Sequence, residues 1–318
     1  MKVTVVGAGG NVGSTVALSV AQRDFAKEVI AVDLERKEDD KTFYPSKGRA
    51  LDQWESSPIH LFDTRVKGTT DYADTADSDV CVITAGVPRR PGMSRDDLLE
   101  INANIVRSVT EQLVKYSPET IIIVVSNPLD VMVQVAKDAS GLPYEKVMGM
   151  AGILDTARYR AFIADELDVS PKDIQALLMG GHGDTMVPLP RFTTLAGMPI
   201  THFISDERLE EIVNRAKKGG GEIVGLMGTS AWYAPGAAAA QMVEAILLDQ
   251  NRIFPVCAHI DGQYGVDDLY IGVPVKLGKG GIKEVIEVEL TKEESDLMSQ
   301  SADAVRGTLN DFKKIMNK

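Results

Sequence analysis

The stretch VVGAGGNVGSTVALSVAQ, Val5 to Gln22, decides the fold. A β-branched run beginning at Lys2 (KVTVVGAG) stops in glycine. NVGSTVALSVAQRD then takes over, with Val12, Val16, Leu18 and Val20 as its apolar positions at helical spacing. Four glycines, Gly7, Gly9, Gly10 and Gly13, fall at the junction. Strand, glycine turn and helix in that order is a context in which unpaired N–H groups at a helix start meet phosphate. The missing Cβ atoms let a pyrophosphate approach the backbone. Tight strand-to-helix turns also use glycine, so the pattern needs a second residue before it means a dinucleotide.

Asp33 is that residue. It ends the next apolar run, EVIAVDLE, twenty residues beyond Gly13. A carboxylate there accepts hydrogen bonds from adenosine ribose hydroxyls and repels a 2′-phosphate, which favours NAD over NADP. Arg36 and Lys37 follow closely and soften that preference, although both could be solvated. Further strand-like runs, SDVCVITAGVP and TIIIVVSNPLD, alternate with helical segments. Continuous apolar strands between helices mark a parallel sheet buried on both faces. Past residue 150 the texture changes. AGILDTARYRAFIADELDVS reads as helix, IQALLMGGHGDTMVPLP as a strand entering a loop, and GVPVKLGKGGIKEVIEVEL as antiparallel strands around a glycine turn. The C-terminal stretch is a long polar-faced helix with a capping-box start at Thr291 and Glu294. The expected fold is α/β, a Rossmann-type doubly wound parallel sheet over residues 1–150 that binds NAD, followed by an α+β substrate domain over residues 151–318.

The totals narrow the partners. The chain has 318 residues and a formal net charge of −12, which argues against nucleic acid and anionic membranes. A few arginines can still dominate one pocket for an anionic substrate. The two cysteines, Cys81 and Cys257, form no framework, as suits a reducing cytoplasm. The sequence starts directly in a strand, and no apolar run reaches transmembrane length, so a cytoplasmic location is expected.

Four segments carry chemistry. His182 stands between Gly181 and Gly183 in MGGHGDTMVP, accessible at a strand end. A lone histidine is more often structural, and to carry protons near neutral pH it needs an acidic partner. Asp155 and Arg158 in GILDTARYR, three apart on one helix face, make either a plain ion pair or a functional set. In the functional reading Asp155 orients and charges His182, and Arg158 grips a carboxylate bidentately. Arg89, Arg90 and Arg95 lie in or just after a Pro/Gly-rich loop, where a basic patch is the plain reading and a pocket-closing loop the functional one. Asn127 ends a strand just before Pro128, where ligands of doubly wound sheets lie.

Taken together, GAGGNVG, AGVPRRPGMSRDDLL, SNPLDV, GILDTAR and GGHGD resemble the lactate/malate dehydrogenase family in order and spacing. The resemblance extends over essentially the whole chain, and within the family it is to the lactate-dehydrogenase-like group of malate enzymes. It implies reversible oxidation of (S)-malate to oxaloacetate with NAD, a citric acid cycle reaction. It assigns His182 and Asp155 as the proton relay, and Arg158 to the C1 carboxylate. Arg89 would meet the C4 carboxylate, where a lactate enzyme has glutamine. Arg95 would help polarise the carbonyl, and Asn127 would bond the substrate oxygen. Gly7, Gly9, Gly10, Asn11, Val12, Gly13, Asp33, Asn102, Val125, Ser126 and Asn127 would hold the cofactor, with no metal.

A lactate dehydrogenase or broad 2-keto-acid reductase is the rival enzyme, and an NAD-binding regulator without turnover the rival class. Arg89 speaks against the first and the intact proton relay against the second. Two departures stand out. Gly9 and Gly10 occur where relatives have one glycine fewer, which leaves the phosphate contacts open by one residue. The segment ERKEDDKTFYPSKGRALD after Asp33 is longer than the usual connection. The family forms dimers or tetramers, and a homotetramer is expected. GAAAAQMVEAILL and DFAKEVIAVDL could support such packing or equally be core.

Overall fold

The computed structural model describes residues 1–88 and 94–316, and of Arg95 only the main chain. Its central feature is one nine-stranded sheet. The strands are β1 (Lys2–Val6), β2 (Glu28–Val32), β3 (Arg65–Thr69), β4 (Val80–Ile83), β5 (Ile121–Val124), β6 (Val147–Gly149), β7 (Arg252–Ile260), β8 (Leu269–Gly278) and β9 (Gly281–Val285). Their spatial order is β9-β8-β7-β6-β5-β4-β1-β2-β3. The first six are parallel and run 3-2-1-4-5-6, with the order reversing between β1 and β4. That reversal opens a crevice at the strand C-termini, where ligands of such sheets bind.

The parallel strands are short and β-branched, and Ile121 to Val124 are all buried. Successive residues feed opposite faces, as strand geometry requires. Val3 and Val5 pack with Val16 and Val20 of α1 (Asn11–Gln22) and with Ala239 and Val243 of α7 (Tyr233–Leu247). Val6 and Ile83 pack on the other side, with Leu99 and Val106 of α3 (Arg95–Tyr116) and Met132 of α4 (Leu129–Ser140). A third cluster joins Tyr159 and Ile163 of α5 (Gly152–Leu167) to Leu209 and Ile212 of α6 (Asp206–Met227). The small-residue helix is core: Gly236, Ala239 and Ala240 are buried, and Gly236 lies against Thr15 of α1. Val29 to Val32 of the DFAKEVIAVDL segment are buried strand.

The C-terminal antiparallel strands do not form a separate sheet. Strand β7 pairs along its length with β8 and meets β6 at Cys257 and Gly149, so the sheet crosses the region near residue 150 unbroken. Pro255 sits inside β7, opposite Pro274 of β8, and this proline hides the strand from a sequence reading. The long segment after Asp33 contains an exposed hairpin, Arg36–Glu38 against Lys41–Phe43, followed by α2 (Pro45–Glu55). With both strands fully exposed, there is no inside–outside alternation to reveal the hairpin. The last helix, α8 (Lys292–Met316), starts with the expected reciprocal cap. The Glu294 N–H donates to Thr291 Oγ1 at 3.2 Å, and the Thr291 N–H donates to Glu294 Oε2 at 2.9 Å.

Candidate active site

Three of the four glycines in the turn after β1, Gly7, Gly9 and Gly13, have no room for a side chain. Gly7 has φ +85°, and a Cβ on it would come within 2.7 Å of Thr84 Oγ1. A Cβ on Gly13 would lie 2.5 Å from the Gly7 carbonyl oxygen. These two positions let α1 start directly against β1 and β4. Gly10 is the N-cap of α1, with no side-chain cap and no acidic residue in the first turn. The helix start is left open to an anion, as a dinucleotide pyrophosphate requires. The Gly9 N–H donates to Asp33 Oδ2 at 2.7 Å, and the Leu34 N–H donates to Asp33 Oδ1 at 2.7 Å. Asp33 therefore braces the turn as well as presenting charge beside it. Arg49 Nη2 reaches Asn11 Oδ1 at 2.8 Å, so the segment after Asp33 brings a cation to the same helix start. An open helix terminus, a carboxylate at the end of β2 and a nearby guanidinium fit NAD.

From this turn a cavity of about 500 Å³ runs along the strand ends to His182. Val12, Val125, Ser126 and Asn127 line it on one side, and Asp155, Arg158 and His182 close it on the other. Asn102 is buried and brings two backbone segments together. Its Oδ1 accepts the Val87 N–H at 2.8 Å, and its Nδ2 donates to the Asn127 carbonyl at 2.8 Å. These contacts brace the cavity wall. Asn127 itself is exposed at the mouth of the site.

The charged end is built from α5 and the loop after Met179. Asp155 Oδ2 is 2.8 Å from His182 Nδ1, and Arg158 Nη1 donates to Asp155 Oδ1 at 3.2 Å. Both readings of the Asp155–Arg158 pair thus hold at once: the ion pair exists, and the same carboxylate takes the imidazole. Asp155 is 2% exposed. Burial opposes charge on His182, but the attraction and hydrogen bond of Asp155, helped by Asp130, outweigh it and hold the imidazole above its ordinary range. Arg158 Nε is buried without a partner among the described residues, so the guanidinium has donors to spare for an anion.

Arg89 and Arg90 lie outside the described residues, as does the side chain of Arg95. Two contributors were not singled out from the sequence. Lys217, on α6, reaches the cavity wall. Asp130, in the first turn of α4, accepts the His182 N–H at 3.4 Å. The run of three glycines after Lys218 was the available signal for the first, since glycine is costly inside a helix. The second lies within SNPLDV, but its partners 52 and 127 residues away cannot be read from that motif.

Residues 1–149 match the family model of the lactate/malate dehydrogenase NAD-binding domain, and residues 153–316 that of the lactate/malate dehydrogenase alpha/beta C-terminal domain. The chain is 64% identical over 315 residues to the malate dehydrogenase of Salinibacter ruber, covering 99% of this chain and 98% of that protein. It is 58% identical to the malate dehydrogenase of Cytophaga hutchinsonii, over 98% and 97% of the two chains. Among solved structures, the Salinibacter ruber malate dehydrogenase superposes with a TM-score of 0.93 at 60% identity, over 100% of this chain and 99% of that one. A Cryptosporidium parvum lactate dehydrogenase complexed with lactic acid and nicotinamide adenine dinucleotide also superposes, with a TM-score of 0.91 at 37% identity over 98% of each chain.

Proposed function

The chain belongs to the lactate/malate dehydrogenase family, and from that premise we propose how its residues divide the work. The reaction is the NAD-dependent oxidation of malate to oxaloacetate, and its reverse. NAD, when bound, would supply the hydride acceptor for the substrate C2. His182 handles the accompanying proton. With Nδ1 engaged by Asp155, the free Nε2 takes the C2 hydroxyl proton in oxidation. In reduction the imidazolium polarises the carbonyl and returns the proton, and Asp155 stabilises that cation.

Arg158 pairs with the C1 carboxylate. Arg89 meets the C4 carboxylate, Arg95 assists at the carbonyl, and Asn127 bonds the substrate oxygen. Pyruvate would bring a methyl group to Arg89 and strand its charge, which a site of this kind rejects by roughly 10⁴-fold. Gly7, Gly9, Gly10, Asn11, Val12 and Gly13 hold the pyrophosphate side, and Asp33 the ribose. Val125 to Asn127, braced by Asn102, line the nicotinamide side. On this reading residues 1–150 form the NAD-binding domain and 151–318 the catalytic domain, with Arg89, Arg95 and Asn127 reaching the substrate from the first.

Among the described residues no helix is long and apolar enough to cross a membrane. We place the protein in the cytoplasm as a homotetramer. The acidic composition, the unpaired cysteines and exposed apolar side chains such as Leu51, Ile59 and Leu226 support this. Light scattering after size exclusion reads the subunit number.

The observation that carries the reading of the site is the Arg158–Asp155–His182 chain on the cavity wall. Steady-state rates with oxaloacetate and with pyruvate, each with NADH, test it. Strong preference for oxaloacetate is expected, and comparable kcat/KM for the two would overturn the substrate assignment.

A further inference from the structure

Asp130 has no role in the scheme above, yet both of its carboxylate oxygens are engaged. Oδ1 accepts the Cys257 thiol at 3.2 Å, and Oδ2 accepts the His182 main-chain N–H at 3.4 Å. Cys257 is fully buried in β7, at the position that pairs with Gly149 of β6. One oxygen is thus anchored to the sheet while the other holds the backbone of the proton carrier. That backbone needs holding. Gly180 and Gly183 both have positive φ, and the neighbouring Gly181 N–H is taken by Ser301 Oγ of α8 at 2.7 Å. Asp130 and Ser301 thus fasten consecutive peptides from two different helices.

We propose that Asp130 is a positioning residue for the reaction, fixing the main chain of His182 and placing a second negative charge beside its imidazolium. The proposal rests on the reading of His182 given above.

Other charges lie around the imidazole among the described residues. Asp155 and Arg158 face it from α5, and Lys217 lines the same cavity from α6. Asp184 is exposed on its own loop, and Asp311 of α8 borders the space shared by Asp130 and His182. Cys257 contributes a neutral donor, since burial and then Asp130 hold its thiol well above the usual range. Burial holds the Asp130 carboxyl above the usual carboxylate range; the Cys257 and His182 contacts pull against that and the Asp155 charge adds to it. Asp130 does not touch the ring, so its effect on the imidazole is one of charge and backbone placement.

Asp130→Asn tests both parts. Its amide nitrogen cannot accept one of the two donors, and its charge is gone. We expect NADH affinity, read by fluorescence titration, to stay within about twofold, while kcat for oxaloacetate reduction falls about tenfold or more, the scale of a misplaced catalytic group. The pH profiles of kcat/KM in both directions should move to lower pH by about half a unit or more, since a nearby negative charge that favoured imidazolium has been removed. Cys257→Ala keeps the carboxylate, so a smaller loss in kcat and an unmoved profile are expected.

Unchanged kcat and profile in Asp130→Asn overturn the proposal. A lower kcat with an unmoved profile reduces Asp130 to a structural contact and overturns its electrostatic part. If Asp130→Asn does not fold, Asp130→Glu keeps the charge and displaces it: reduced kcat with an unmoved profile is expected, and full activity overturns the positional part. His182→Asn in the same assays separates the two levels. Near-normal turnover there sinks the reading of the site itself, whereas an inactive His182→Asn beside a normal Asp130→Asn sinks only this inference.

Discussion

Asp155 Oδ2 and His182 Nδ1 meet at 2.8 Å although 27 residues separate them in the chain. The contact is made where α5 begins beside β6 and the loop after Met179 returns to the strand ends. Because the Asp155 side chain is buried, the pair is little screened by solvent. The geometry commits Nδ1 to the carboxylate, and in the proposed mechanism Nε2 serves the substrate.

Removing the imidazole should therefore remove the chemistry and spare binding. His182→Asn is expected to retain NADH binding and lose about 10³-fold or more in kcat, within the range of positioned acid–base catalysis. Asp155→Asn should slow oxaloacetate reduction strongly, because the imidazolium that reduction needs is then less stable. Stopped-flow and steady-state rates at saturating NADH read both, and near-normal turnover in His182→Asn would discard the mechanism.

The direction of the His182 shift sets opposite pH profiles for the two reactions. Its carboxylate partners hold it above the ordinary histidine range despite burial. Reduction needs imidazolium, so its kcat/KM should stay level to higher pH than a free imidazole would allow and fall as pH rises through the group. Oxidation needs neutral imidazole, so its kcat/KM should rise over that same interval. A reduction profile that fell below the ordinary histidine range would contradict the arrangement.

Substrate choice is expected to rest on Arg89. Arg89→Gln removes the charge and should lower kcat/KM for oxaloacetate by about 10²-fold or more, as for a lost buried charge pair. Pyruvate no longer strands a cation and should improve. Arg90→Gln is the control and should be mild. If Arg90→Gln changed specificity and Arg89→Gln did not, the register of the loop would be wrong by one residue.

Cofactor choice is expected to rest on Asp33, with a complication visible only in the structure. Asp33 also accepts the Gly9 and Leu34 N–H groups. Asp33→Ser should narrow the preference for NADH over NADPH and, by loosening the turn, weaken NADH itself. Isothermal titration with both cofactors measures the two effects separately. Equal kcat/KM for the two cofactors in the unmodified protein would refute the role given to Asp33.

Local chemistry made much of this legible in the sequence. The β1–turn–α1 unit, the parallel strands and the Thr291–Glu294 cap each follow from residues within a few positions of one another. His182, Asp155 and Arg158 could be paired because their segments carry family motifs. Long-range contacts were another matter. Pro255 masked β7, so the continuity of the sheet past Gly149 could not be read. Asp130 lies three residues from Asn127, yet its partners are set by the packing of β7 and the His182 loop. The small residues of α7 suited an interface or a core equally well, and only Gly236 against Thr15 decides that the chain uses them itself.

The pairing of Cys257 with Gly149 has a consequence for recombination. A Cβ on Gly149 would sit 2.9 Å from Cys257 Cβ and 2.7 Å from Val133 Cγ2, so the strand crossing tolerates no side chain there. A chimera joined near residue 150 inherits this crossing from two parents, and a first parent bearing anything larger than glycine at that position cannot supply it. On the roles proposed above, neither half carries a complete specificity: the second brings His182, Asp155 and Arg158, while Asn127 and Arg89 stay with the first. Exchanging halves among relatives should thus produce proteins that bind NAD without inheriting either parent's choice of acid.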